Sequence, residues 1–173
     1  MESVKQQKIM RIQKESARGL DKIDRKILRI LQEDARIAMK DLSEQVGLSI
    51  TPTIERVKRM ERDGVIAGYH ARLNPRALGA SLLVFVEITL NQKSASHFEQ
   101  FRREVLRIPE VQECHLVSGD FDYLIKARIH EMAEYRKLLG DMLLNLPGAA
   151  QSKSYVVMEE IKETLILPTE PAP

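Results

Sequence analysis

The sequence predicts an α+β fold in two parts, a winged helix-turn-helix domain followed by a ferredoxin-like βαββαβ domain. Three observations lead there. The apolar residues follow helical spacing in the first half of the chain and strict alternation at Leu82, Val84, Val86, Ile88 and Leu90 in the second. A short helical run ending at Gly47 is followed at once by a helix-start signal at Ser49. Beyond residue 76 the order of elements reads strand, helix, strand, strand, helix, strand, which is the split βαβ arrangement.

The first helix starts at Asp21, which can cap the next turn together with Asp24, and Ile23, Ile27, Ile30 and Leu31 fall on one face. A second, short helix covers about Lys40 to Val46, with Leu42 and Val46 inward. Ser49 is placed as N-cap of a third helix, with Pro52 in the first turn, where its missing N–H costs nothing. Ile50, Ile54, Val57 and Met60 form its expected buried side, and Asp63-Gly64 its stop. Val65 to Leu73 reads as a short strand or wing, closed by Asn74-Pro75.

In the second half, Leu82–Leu90 is a strand whose other face carries Leu83 and Phe85. Ser96 to Glu99 has the form of a capping box, followed at helical spacing by Phe98, Phe101, Val105 and Ile108. Val111 to Val117 and Phe121 to Ile129 read as strands joined at Ser118-Gly119-Asp120. Met132, Tyr135, Leu138, Leu139, Met142, Leu143 and Leu146 make a second amphipathic helix ending near Pro147-Gly148, and Ser154 to Met158 a last strand. The expected division is a basic arm at 1–19, a DNA-binding domain at 20–75, a second domain at 76–163 and a tail at 164–173. A sheet with helices on one face only leaves its other face wet or covered by a partner. Leu83, Phe85, Tyr123 and Ile125 argue for a covered face, hence a homodimer.

Composition bounds the function. With 43% hydrophobic and 30% charged residues the chain suits a globular protein. The longest apolar run, Leu82–Val86, stops at Glu87, so no membrane span is expected; no secretory signal is legible, and a cytoplasmic localisation is expected, which a single cysteine fits. Cys114 is the only cysteine, so no internal disulfide can form. Residues 1–76 hold 17 Lys and Arg against 11 Asp and Glu, a net +6, whereas residues 77–173 hold 10 against 14, a net −4. A basic half joined to an acidic half suggests a polyanion binder fused to something else.

On a helical wheel Thr51, Glu55, Arg56, Lys58, Arg59 and Arg62 spread over the side of the third helix away from Ile50 and Val57. Four cations and one acid can lie against phosphates, while the N-terminal end, with Ser49, Thr51, Thr53 and Glu55, would face base edges of double-stranded DNA. A solvated charged face is the plainer alternative for such residues. No catalytic site is legible. Cys114 and His115 are strand neighbours pointing to opposite faces, and the four histidines have no ligand spacing, so neither an enzyme nor a metal site is expected. An RNA-binding sheet would need aromatic stacking residues in an RNP-type motif, which is missing here.

The segments LSEQVGLS, ERVKRMERDGVIAGYHARLNP, LLVFVEITL, QECHLVSGDFDYLIKARI, YRKLLG and YVVMEE together resemble the Lrp/AsnC (feast/famine) family of prokaryotic transcription regulators, over about Leu20 to Lys162. The resemblance implies an amino-acid-sensing second domain, dimers formed through its sheets, assembly of dimers into higher oligomers, and a response to leucine or another apolar amino acid, of global or catabolic-operon type. No cofactor beyond that effector is implied. The head of the third helix, Ile50-Thr51-Pro52-Thr53, sits where members of the family vary.

The resemblance also bears on VSGDFDYLI, Val117 to Ile125. Spacing alone favours a hairpin turn with solvated acids. The family's effector turn lies at this point, and it implies Gly119, Asp120, Phe121, Asp122 and Tyr123 as effector-binding residues. Asp120 or Asp122, two apart on an extended chain, would hold the ligand's ammonium group, and the backbone near Gly119 its carboxylate. Leu116, Met132 and Tyr155 are candidates for the apolar pocket, with ordinary core packing as their alternative. A ligand-independent architectural DNA-binding protein is the competing function.

Overall fold

Local signals and long-range pairing divide the chain into two units in the computed structural model, which describes residues 19–145 and 148–170. One unit takes the chain up to Ala71 and again from Thr164; the other is Arg72–Glu163. The expected basic arm lies outside the described residues except for Gly19, as do Leu146 and Pro147 near the last helix stop.

The first unit holds three helices, α1 (Lys22–Glu33), α2 (Met39–Val46) and α3 (Ile50–Arg62). α1 begins with the expected reciprocal cap: the Asp24 amide donates to Asp21 Oδ1 at 2.8 Å, and the Asp21 amide to Asp24 Oδ2 at 3.2 Å. Ile27, Ile30, Leu31, Leu42, Val46, Val57 and Met60 form one core. α2 ends because Gly47 turns left-handed at φ 76°, a conformation open to glycine, and the next amide, of Leu48, donates back to the Ser43 carbonyl at 3.0 Å. Ser43 is buried, and its hydroxyl satisfies itself on the Lys40 carbonyl at 2.7 Å.

Three expectations for this unit are corrected. Ser49 occupies the N-cap of α3, but its side chain makes no capping bond. Ile50, expected inward, is 45% exposed, and Thr53 takes the inward place with Val57 and Met60. The threonine can be buried because its hydroxyl donates to the Ser49 carbonyl at 3.0 Å. Val65–Leu73 forms no strand; the Val65 and Ile66 amides close onto the Met60 carbonyl instead. A strand needs a partner to bond, and this unit offers none among its described residues. The segment from Thr164, read as a tail, bonds to α1: the Gln32 amide accepts from the Leu167 N–H at 2.7 Å and donates to its carbonyl at 3.0 Å.

The second unit is a four-stranded antiparallel sheet of β1 (Leu82–Leu90), β2 (Val111–Leu116), β3 (Tyr123–Ile129) and β4 (Ala149–Val156), in the order β2-β3-β1-β4, with α4 (Ala95–Val105) and α5 (Met132–Asn145). Val84, Val86, Ile88 and Leu90 join Phe101, Val105, Tyr123, Ile125, Ile129 and Tyr135 in its core. α4 starts two residues before the expected box: Ser94 is the N-cap and accepts from the His97 amide. β4 begins at Ala149 rather than Ser154, and β3 at Tyr123 rather than Phe121.

The register corrects the expected outer face. Val86 lies opposite Ile125 and Ile88 opposite Tyr123, so those two β3 residues share the core face of β1. The outer face pairs Leu83 with Arg128, sets Phe85 between Lys126 and Tyr155, and sets Glu87 between Leu124 and Lys153. It is amphipathic rather than uniformly apolar. Among the described residues no helix is long and apolar enough to cross a membrane.

Candidate functional site

The recognition element is built from α2, the Gly47 turn and α3. Of the residues expected along its DNA face, Thr51, Glu55, Lys58, Arg59 and Arg62 are exposed, while Ser49 lies at the head of the helix. Thr53 is fully buried and cannot reach a base edge from this position. Arg56 is also drawn inward: its Nη1 donates to Asp21 Oδ2 at 2.6 Å and to Asp24 Oδ1 at 2.8 Å. Arg59 Nη2 donates to Asp24 Oδ2 at 2.6 Å. Among the described residues Arg62 reaches only its neighbour Asp63, at 3.2 Å. The Asp24 amide, helped by the Arg56 guanidinium, holds the Asp21 carboxyl below its ordinary pKa against the opposing effect of burial, and the two carboxylates push the guanidinium up. Wheel reasoning missed these acids because they sit on another helix.

The two aspartates of the second unit part company. Residues 118–122 form a bend rather than a strand, so the expected shared face does not exist. Asp122 is buried, and its Oδ2 accepts from the Leu90 amide at 2.9 Å while its Oδ1 meets Lys93 Nζ at 2.8 Å. Burial alone would raise its pKa, but the lysine and the amide outweigh it and hold the carboxyl below the usual range. Its backbone joins the same knot, donating to the Ile88 carbonyl and accepting from the Val117 amide. Asp122 thus ties the turn to the end of β1. Asp120 is exposed.

Asp120 and Phe121 line an open recess of about 190 Å³ with Glu87, Thr89, Gln151 and Lys153. The β1–β4 register puts Thr89 opposite Gln151 and Glu87 opposite Lys153. Two carboxylates and one ammonium therefore share a small concavity. Glu87 accepts from the Tyr155 hydroxyl at 2.9 Å, and Lys153 lies 5.2 Å from the Tyr155 ring centre. Glu87 and Thr89 lie on the same side of β1 as Leu83 and Phe85, but the sequence reading of that side attended to its apolar residues and left Gln151 and Lys153 outside the last strand.

Of the remaining expected effector residues, Tyr123 is buried and stacks on Phe101 at 4.0 Å, on the core side of the sheet. Leu116, Met132 and Tyr155 are exposed and do not line the recess. Gly119 adjoins Asp120. It does not have a left-handed φ, and a Cβ there would meet nothing within 4 Å. The backbone at Gly119 is therefore open to approach from outside the chain. Burial pushes the Cys114 thiol up to about 11, so it is protonated at neutral pH. Among the described residues no three His, Cys, Asp or Glu side chains gather as a metal site requires.

These two arrangements match known families. Residues 20–67 fit the winged helix-turn-helix DNA-binding family and residues 83–167 the Lrp/AsnC ligand binding domain. The leucine-responsive regulatory protein of Escherichia coli K12 is 58% identical over 151 residues, covering 87% of this chain and 92% of that one. The chain belongs to the Lrp/AsnC family. Two solved members agree in fold. An AsnC family transcriptional regulator from Agrobacterium tumefaciens has a TM-score of 0.83 at 40% identity, covering 86% of this chain and 97% of that one. A transcriptional regulator from Neisseria meningitidis, solved as an L-Met complex, has a TM-score of 0.82 at 36% identity, covering 87% and 97%. This Lrp/AsnC chain is thus a DNA-binding regulator with a ligand-binding domain.

Proposed function

We propose that this Lrp/AsnC protein regulates transcription in response to a small apolar amino acid, leucine or methionine, taken at the turn 118–122. The observation that carries the effector site is the recess where Asp120 and Glu87 face Lys153 beside the open backbone of Gly119. An α-amino acid carries one ammonium and one carboxylate and needs a partner for each. Asp120 holds the ammonium group. Asp122 has its carboxylate engaged by Leu90 and Lys93 and serves the turn instead. The leucine-responsive relative and the L-Met complex support the choice of ligand class.

Thr51, Lys58 and Arg62 meet the DNA, with Glu55 beside them on the exposed side of α3. The protein works as a homodimer joined into higher oligomers. Phe85 on the outer sheet face and the exposed Met158, Ile161 and Leu165 support this reading, because large apolar side chains left in water are covered at low cost by a second copy. A ligand that prefers one assembly shifts the equilibrium toward it, and DNA contacting several copies feels the shift.

Thermal unfolding with each of the twenty amino acids tests the effector claim. A binder present at a hundred times its Kd adds about 2.7 kcal/mol. Leucine or methionine should raise the midpoint, and Asp120→Asn should abolish the rise. If no amino acid shifts the wild-type midpoint, the protein is a ligand-independent architectural DNA binder.

A further inference from the structure

Four charged groups meet where α1 and α3 touch. Asp24 is 1% exposed, the most buried charged side chain among the described residues. Its Oδ1 accepts from Arg56, and its Oδ2 from Arg59 and the Asp21 amide. Asp21 takes a second bond from the Arg56 guanidinium. A buried carboxylate needs such partners, because burying an unpaired charge costs several kcal/mol. The two arginines lie three residues apart, about one helical turn, so a single carboxylate grips α3 at two points along its length. One contact would let the helix roll; two fix its rotation and its axial position together. Both distances are those of charge-assisted hydrogen bonds.

The consequence is a division of labour along α3. We infer that Asp24 sets the seat of the recognition helix, and that Arg56 and Arg59 serve DNA binding as positioning residues rather than as phosphate contacts. The inference rests on α3 being the DNA-reading helix. On α3, Lys58 and Arg62 are the cations left to the phosphates: among the described residues Lys58 has no ion pair, and Arg62 pairs only with its half-exposed neighbour Asp63.

Removing Asp24 separates this from ordinary electrostatics. Asp24→Asn takes a negative charge away and frees two cations, so if the arginines simply attract phosphate, DNA binding strengthens. If Asp24 seats the helix, sequence-specific binding weakens. The probes are a duplex enriched from a random-sequence pool by the wild-type protein, and poly(dI-dC) as non-specific DNA. Binding is measured across a salt series, with the helical circular dichroism signal recorded for each variant. Asp24→Asn should lose roughly tenfold on the enriched duplex, the scale of one displaced base contact, with no loss on poly(dI-dC). Arg59→Gln should lose a similar factor while keeping the wild-type salt slope. The double variant should be no worse than either single one, and Arg59→Lys should recover part of the loss.

A salt slope flattened by about 0.9 in Arg59→Gln or Arg56→Gln overturns the inference, since that is the signature of one released counterion. Wild-type affinity for the enriched duplex in Asp24→Asn also overturns it. If Asp24→Asn loses its helical signal, the two arginine variants, whose side chains are partly solvent-exposed, decide the matter through the slope. Lys58→Gln and Thr51→Ala serve as controls. If neither changes affinity or slope, the recognition-helix reading fails and this inference with it, whereas a flattened slope in the arginine variants sinks the inference alone.

Discussion

Among the described residues each unit buries one aspartate, Asp24 at 1% and Asp122 at 7% exposure, and the two are held differently. Asp24 is surrounded by side chains: two guanidinium groups from one neighbouring helix close on it, and only one backbone amide helps. Asp122 is held mainly by backbone. The Leu90 amide bonds its carboxylate, its own peptide groups join Ile88 and Val117, and its single cation, Lys93, is 58% exposed. A carboxylate held by rigid forks orients a whole helix. One held by backbone closes a turn and leaves the neighbouring residue, Asp120, free to face outward. The same residue type thus serves an element in one unit and a loop in the other, and the partners decide which.

Substitutions can break this comparison, the largest effect coming first. Asp24→Ala strands two arginines against a buried surface and should cost about 3 kcal/mol, the low end for a broken buried pair because Arg59 is 44% exposed and screened. Urea unfolding followed by helical circular dichroism measures it; a loss under 1 kcal/mol would make the cluster ornamental. Asp122→Asn keeps the shape and one acceptor for Leu90, so about 1–2 kcal/mol is expected.

The second case also has a pH signature. The folded pKa of Asp122 is depressed, so its contribution is complete above the unfolded carboxyl value and is lost as the pH falls through the lower folded value. The gap between wild type and Asp122→Asn should therefore be constant at neutral pH and close below about pH 4. A gap that widens on acidification contradicts the assignment.

Smaller effects sharpen the contrast. Lys93→Met leaves the backbone knot intact and should cost about 0.5 kcal/mol, with the remainder vanishing at high salt. Equal losses in Lys93→Met and Asp122→Asn would show that the lysine, not the backbone, holds the turn. Gly119→Ala should leave folding unchanged within about 0.5 kcal/mol, because its φ is ordinary and its Cβ position is open. Amino-acid binding or oligomer distribution is where that change should register, by calorimetry and sedimentation. A destabilised variant would mean the glycine serves the chain itself.

Much of this architecture was legible in the order of residues. The Asp21–Asp24 cap, the Gly47 stop and the alternation of β1 depend on neighbours within a few positions, and each appears as read. Helix and strand starts were less legible. Ser94 displaced Ser96 as the cap of α4 because both are serines a turn apart from plausible partners. β4 opened five residues early because Ala149–Lys153 pairs with β1 despite little apolar signal of its own. The face of β3 was misassigned because alternation says that Tyr123 and Ile125 share a side, but not which side faces the helices.

Sequence by itself determined the order of the elements and the helix-turn-helix, because caps, turns and apolar periods are short-range properties, and its motifs carried the family. Tertiary structure alone decided which polar groups became structural. Asp24 meets Arg56 and Asp122 meets Leu90 across 32 residues of chain in each case. Neither partner is marked by composition or period. A buried carboxylate takes whatever donors the packing of helices and the register of strands bring within 3 Å, and those donors settle whether an aspartate binds a ligand, braces a helix or closes a turn.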